Sequence, residues 1–154
     1  MTGAAVIIGA SGGIGAALEA ALIDEATFEK VHGFARSRTG AQHLDLLDEA
    51  SIAAAAAHVA TGPAPTLVIV ATGLLHAGER GPEKAMRELD PAWLAETYAI
   101  NAIGPALVAK HFLPIMPRTG ARCSPRSPRE SAAFRTISWA AGTAIAPPRP
   151  RSTC

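Results

Sequence analysis

Apolar and polar positions recur with two different periods along the first 117 residues. Ala4-Ala5-Val6-Ile7-Ile8 is apolar throughout, the pattern of a strand buried on both faces of a parallel sheet, and it ends in Gly9. From Ile14 to Ala26 the period changes, with Ile14, Leu18, Leu22 and Ile23 at helical spacing and Glu19, Asp24 and Glu25 between them. Lys30 to Ala35 predicts a second strand and Ala41 to Leu46 a short third. An Ala-rich helix is expected from about Glu49 to Ala60, stopped by Thr61-Gly62-Pro63, because glycine suits a helix end and proline cannot continue one. Thr66 to Ala71 predicts the fourth strand. Asp90 and Pro91 then open a long helix as N-cap and first residue, and Pro105 is expected to bend it. Leu94, Tyr98, Asn101, Pro105, Val108 and Phe112 lie near one another along that helix; with Trp93 they predict core or subunit interface. Strands and helices alternating in this way specify the α/β class. The expectation is the N-terminal part of a doubly wound parallel-sheet (Rossmann) domain with three α/β/α layers, truncated after the fourth strand and its helix.

Charge divides the chain where the pattern ends. Residues 1–117 carry seven basic and twelve acidic side chains, a net of −5, whereas residues 118–154 carry seven basic and one acidic, a net of +6, with five of the twelve prolines and both cysteines. Such asymmetry marks an appended tail. Residues 1–117 are therefore read as one domain and 118–154 as an Arg/Pro-rich segment expected to be disordered. With 49% apolar and 18% charged residues the chain as a whole is too hydrophobic for intrinsic disorder. No basic n-region stands before the first strand, and the apolar stretch from Ile52 to Leu75 is cut by His58, Gly62, Pro63 and Pro65. Neither a signal peptide nor a membrane span of about 18 residues is expected, and a cytoplasmic setting follows as the default. Cys123 and Cys154 suit neither a disulfide framework nor a metal site, and His32, His43, His58, His76 and His111 show no ligand spacing.

The candidate chemistry lies at the first strand-to-helix turn. Gly9-Ala10-Ser11-Gly12-Gly13-Ile14-Gly15 lets the backbone turn tightly and approach a ligand with no Cβ between them. The unpaired N–H groups and positive dipole end of the following helix would face a pyrophosphate. At the end of the second strand, where an acid would select NAD, stands Arg36-Ser37-Arg38. A guanidinium there can pair bidentately with a 2′-phosphate, which favours NADP over NAD, and Arg36 is the better placed arginine.

These residues resemble the short-chain dehydrogenases/reductases. Gly9-x-x-x-Gly13-Ile14-Gly15 has the spacing of that family's cofactor motif, and the resemblance covers about residues 4–117. It implies that Gly9, Ser11, Gly12, Gly13, Ile14 and Gly15 hold the dinucleotide with Arg36 and Ser37, and that Asp45 and Leu46 border the adenine. Ala71-Thr72-Gly73 would line the cofactor after the fourth strand. Asn101 matches the helix asparagine that holds a water in the proton relay. The segment Ala71-Thr72-Gly73-Leu74-Leu75-His76 is similar to the bacterial C-factor-like subgroup. The implied reaction is hydride transfer between NADP(H) and a small carbonyl or alcohol, in a homo-oligomer whose long helix meets its partner.

One part of the family pattern is missing. The resemblance calls for a Tyr-x-x-x-Lys pair to move the proton, yet Tyr98 is the sequence's one tyrosine and is followed four residues on by Ala102. Ser131 and Ser138 are candidates for the upstream serine without a strand-like context. Regrouping the tail's codons by one base permits a serine-bearing strand followed by Tyr-x-x-x-Lys, with Ile145 supplying the A-T of the tyrosine codon. A one-base frameshift near Thr119 to Ala121 is the expectation, with the outer edge of the fourth strand left open. Two alternatives stand beside it. One is a dinucleotide-binding protein without catalysis. The other, less favoured, is nucleic-acid binding through the basic tail, which has little aromatic content beyond Phe134 and Trp139.

Overall fold

The computed structural model describes residues 3–76 and 81–117 and the backbone of 133–136. Four strands form one sheet: β1 (Ala4–Ile8), β2 (Lys30–Phe34), β3 (Pro65–Val70) and β4 (Ala133–Thr136), in the order β2-β1-β3-β4. All pairings are parallel, with Val6 opposite His32 on one side and Val68 on the other. Helices α1 (Gly13–Asp24) and α2 (Glu49–Ala60) follow β1 and β2. After β3 come α3 (Pro91–Tyr98), a π-helical turn at Ala99–Ile103 and α4 (Gly104–Phe112). Unbroken apolar strands are required because β1 is paired on both edges and covered on both faces.

The core lies mainly between one sheet face and two helices. Val6, Ile8, Phe34, Val68 and Val70 pack against Ile52, Ala55, Ala56 and Val59 of α2 and against Val108 and Phe112 of α4. Each fully buried Val, Ile or Phe contributes roughly 1.5–3 kcal/mol. The other face, with Ile7 and Ile69, looks toward α1, whose one buried residue is Gly15. Trp93 is core, whereas Leu94 and Tyr98 are 43% and 67% exposed.

Helix starts follow the capping residues. Asp48 Oδ1 accepts from Ala50 N–H at 3.0 Å at the head of α2, and Asp90 Oδ1 accepts from Ala92 and Trp93 N–H at 2.8 and 3.3 Å before Pro91. The irregular turn of the long helix lies at Ala99–Ile103, upstream of the expected bend at Pro105. Proline lacks the N–H that would donate to the carbonyl four residues earlier, so its effect falls on Asn101.

Two expectations are corrected. Ala41 to Leu46 is not a strand: Gly40–Gln42 is a 3₁₀ turn and only Ala35 and His43 form an isolated bridge. Side chains take the backbone groups a ladder would need, since Asp45 N–H donates to Ser51 Oγ at 2.9 Å and Leu47 N–H to Asp45 Oδ1 at 3.0 Å. The outer edge of β3 is not open either. Leu67 to Val70 pair with Ala133 to Thr136, inside the segment expected to be disordered. A bare parallel edge offers backbone donors and acceptors to any extended segment, whatever its side chains. The rest of 118–154, with Cys123, Ser131, Ser138 and Cys154, lies outside the described residues.

Candidate functional site

Neighbouring strands β1 and β3 send their connections in opposite directions, β1 toward β2 and β3 toward β4. In a parallel sheet a crevice opens at the carboxyl ends of two such strands. Gly9 follows β1 there and Ala71 follows β3, with Ala71 N–H donating to Ile8 O at 2.8 Å. A cleft of about 590 Å³ opens between them.

Ten of the residues singled out in the sequence line this cleft: Gly9, Ser11, Gly12, Arg36, Ser37, Asp45, Leu46, Ala71, Thr72 and Gly73. Gly13, Ile14, Gly15 and Asn101 do not. Gly9 needs to be glycine, because its φ is +92° and a Cβ would meet Ala71 O at 2.7 Å and Thr72 Cγ2 at 2.8 Å. Gly15 is buried against that turn, where a Cβ would overlap the Gly9 carbonyl oxygen. The N–H groups of Gly13, Ile14 and Gly15 have no acceptor within the helix, whose first turn carries no acidic residue; Ala16 N–H, on Gly12 O at 2.8 Å, is the first that does. An anion is therefore favoured at this end of α1.

The two arginines of the β2 loop differ. Arg38 is engaged: Nη1 and Nη2 donate to Glu19 Oε1 and Oε2 at 2.9 and 2.5 Å, and Nη1 also to Gly33 O at 2.7 Å. The hydrogen bonds it donates to Glu19 raise its already high pKa. Arg36 instead borders the cleft.

Asn101 acts from behind the wall. Leu74 N–H donates to its Oδ1 at 2.7 Å and its Nδ2 donates to Leu74 O at 2.8 Å, a two-way clasp on the chain leaving β3. Leu46 is held from the same side by the start of α4, since a Cβ on Gly104 would stand 2.9 Å from Leu46 Cβ. Thr72 Oγ1 is buried with no partner among the described residues.

Sequence reasoning missed Ile8, Ala35, Leu44, Leu74, His76, Glu96 and Ile100, which also line the cleft. For His76 a signal existed in its place just after Gly73-Leu74-Leu75. Glu96 and Ile100 arrive from a distant helix and carry none. Among the described residues no group of His, Cys, Asp or Glu could hold a metal ion, and no helix is long and apolar enough to cross a membrane.

Two further titrating groups are perturbed away from the cleft. His32 is 6% exposed, with its ring stacked on Phe34 at 6.1 Å and edge-on to His58 at 5.6 Å. Burial, with Lys30 and His58 nearby, lowers its pKa from 6.5 to about 4. On the surface, hydrogen bonds from Lys110 and then His111 lower the pKa of Glu49 and tie α2 to α4.

Strand order, glycine turn and crevice together define a Rossmann-type α/β domain. No protein-family model and no curated protein matches the chain. Solved structures do match. A small-chain dehydrogenase aligns with a TM-score of 0.58 and 24% identity over 77% of this chain and 56% of its own. The NADPH-bound carbonyl reductase from chicken fatty liver gives 0.55 and 23% over 74% and 48%. A doubly substituted short-chain dehydrogenase/reductase of Serratia marcescens gives 0.58 and 20% over 74% and 52%. The fold is thus the one found in short-chain dehydrogenases/reductases, and the chain spans about half the length of those structures.

Proposed function

We propose that this chain is the cofactor-holding part of a short-chain dehydrogenase/reductase of the C-factor-like kind, preferring NADP(H) over NAD(H). The observation that carries this reading is the gathering of the Gly9–Gly12 turn, Arg36-Ser37, Asp45-Leu46 and Ala71-Thr72-Gly73 around one cleft at the point where the strand order reverses. The glycine turn fits a dinucleotide, since Gly9 and Gly12 border the cleft with no side chain, and Gly9 and Gly15 leave no room for a Cβ against Ala71, Thr72 and the Gly9 carbonyl that shape the turn. The amides of α1 hold the pyrophosphate, Arg36 and Ser37 the 2′-phosphate, and Asp45 and Leu46 border the adenine. Asn101 keeps the wall at Leu74 in place. When bound, the nicotinamide supplies hydride exchange with a carbonyl or an alcohol.

Proton transfer is the step this chain lacks residues for. Tyr98 has Ala102 rather than lysine four residues on, and it lies on the exposed side of α3, where it suits a subunit contact. Cofactor binding without turnover follows. The proposed origin is a one-base frameshift near Thr119 to Ala121 that replaced the serine and the Tyr-x-x-x-Lys pair. Resequencing the locus tests this, and a tail with no overlapping Tyr-x-x-x-Lys tract refutes it. The binding reading is tested by titrating the full chain with NADPH and NADH and following nicotinamide fluorescence. NADPH is expected to bind more tightly, Arg36→Ala to weaken it by about tenfold or more while leaving NADH unchanged, and carbonyl addition to cause no sustained oxidation. Absence of NADPH binding overturns the proposal.

A further inference from the structure

Resting on the NADP reading of the Arg36-Ser37 loop, we infer that His43 is a positioning residue that sets this loop for a ligand's 2′-phosphate. Its Nδ1 lies 3.1 Å from Arg36 O and 3.2 Å from Arg38 O, the two carbonyls that flank Ser37. Carbonyl oxygens only accept, so Nδ1 carries the proton and donates to both, which fixes the ring tautomer. A single ring nitrogen thus spans the three-residue turn that brings Arg36 and Ser37 to the cleft.

The turn has a second anchor on its far side. Arg38 is forked onto Glu19 of α1 and reaches back to Gly33 O. Gly33 makes room for that pair, because a Cβ there would overlap both Glu19 Oε1 and Arg38 Nη1. Backbone bonds complete the hold: Arg38 N–H and Leu44 N–H both donate to Ala35 O at 3.2 Å, and Ala35 N–H to Gln42 O at 3.2 Å. Arg38 therefore fixes where the loop leaves β2, and His43 fixes the path between Arg36 and Arg38. Arg36 has a long stem and a rigid fork whose usefulness toward a phosphate depends on where its Cα is held. A loop ordered before the ligand arrives avoids the entropy of ordering it on binding.

The test compares two adenine nucleotides on the full chain by calorimetry: 2′,5′-ADP, which carries the 2′-phosphate, and 5′-ADP, which does not. His43→Leu removes the donor; His43→Asn keeps an N–H donor on a short side chain. His43→Leu is expected to weaken 2′,5′-ADP by about fivefold, the worth of one ordinary hydrogen bond, and to change 5′-ADP by less than twofold, with His43→Asn restoring most of the loss. If His43→Leu weakens both nucleotides alike, or if His43→Asn is as poor as His43→Leu, the positioning role is overturned while the NADP reading stands. If the unsubstituted chain binds 2′,5′-ADP no better than 5′-ADP, the NADP reading itself fails and the inference falls with it.

Discussion

Acidification will destabilise this fold through His32. The imidazole sits in the core between the Phe34 ring and the edge of His58, its Nε2 without a partner among the described residues, and only its neutral form suits that place. In the unfolded chain it takes a proton below about 6.5, but in the folded chain only below about 4. Between those values the unfolded state binds more protons, so stability declines as the pH falls through the window and the full loss is present below it. The displacement corresponds to at most about 3 kcal/mol, a large share of a typical domain's stability. Urea unfolding at half-unit steps from pH 7.5 to pH 4 reads this directly. With a slope of about 1.5 kcal/mol/M, the midpoint of the unsubstituted chain moves by up to about 2 M more than that of His32→Leu, which lacks the titrating ring but keeps an apolar side chain. Carboxylates, including Glu49 with its lowered pKa, are shared by both proteins and cancel in the difference. Parallel decline of the two curves across the window would refute the reasoning.

The glycine turn supplies a matched pair: Gly15→Ala overlaps the Gly9 backbone and is expected to cost about 3 kcal/mol in urea unfolding, whereas Gly13→Ala meets nothing within 4 Å and leaves the midpoint within error. Asn101→Leu removes both bonds to Leu74 and is expected to cost about 2 kcal/mol and weaken NADPH several-fold, read by thermal unfolding and fluorescence titration. Ending the chain after Pro117 removes β4 and bares the outer edge of β3, so light scattering on warming will rise at a lower temperature than for the full chain.

Most elements were legible because their signals are local. The continuous apolar runs of β1 and β3, the Asp48 and Asp90 caps, and the helix stop after Ala60 each announce themselves within a few residues. What escaped depends on partners far along the chain. Nothing near Ala41 to Leu46 says that Ser51 will take its backbone groups, and nothing near Ala133 says that β3 needs a neighbour. Within the cleft, motif spacing locates the turns after β1, β2 and β3, since all three end at one edge of the sheet. It also favours Arg36 over Arg38 from position alone; Glu19, a turn and a half into α1, supplies a physical reason by claiming Arg38. His43 had no signal, because its partners are carbonyls and any residue supplies those.

One of the two inner strands, β1, is also the first of the described strands to be synthesised. β1, with every residue at most 1% exposed in the folded chain, has to wait for Phe34 before one edge is covered and for Val70 before the other is. At ribosomal speeds of about 5–20 residues per second, the second wait lasts roughly 3–12 s. For that time Ala-Ala-Val-Ile-Ile is an apolar, uncharged β-segment of the sort that pairs with its own copies. Yield in the cell will therefore follow how quickly translation passes residues 9 to 70, and slowing synonymous codons there will lower soluble protein without changing a residue.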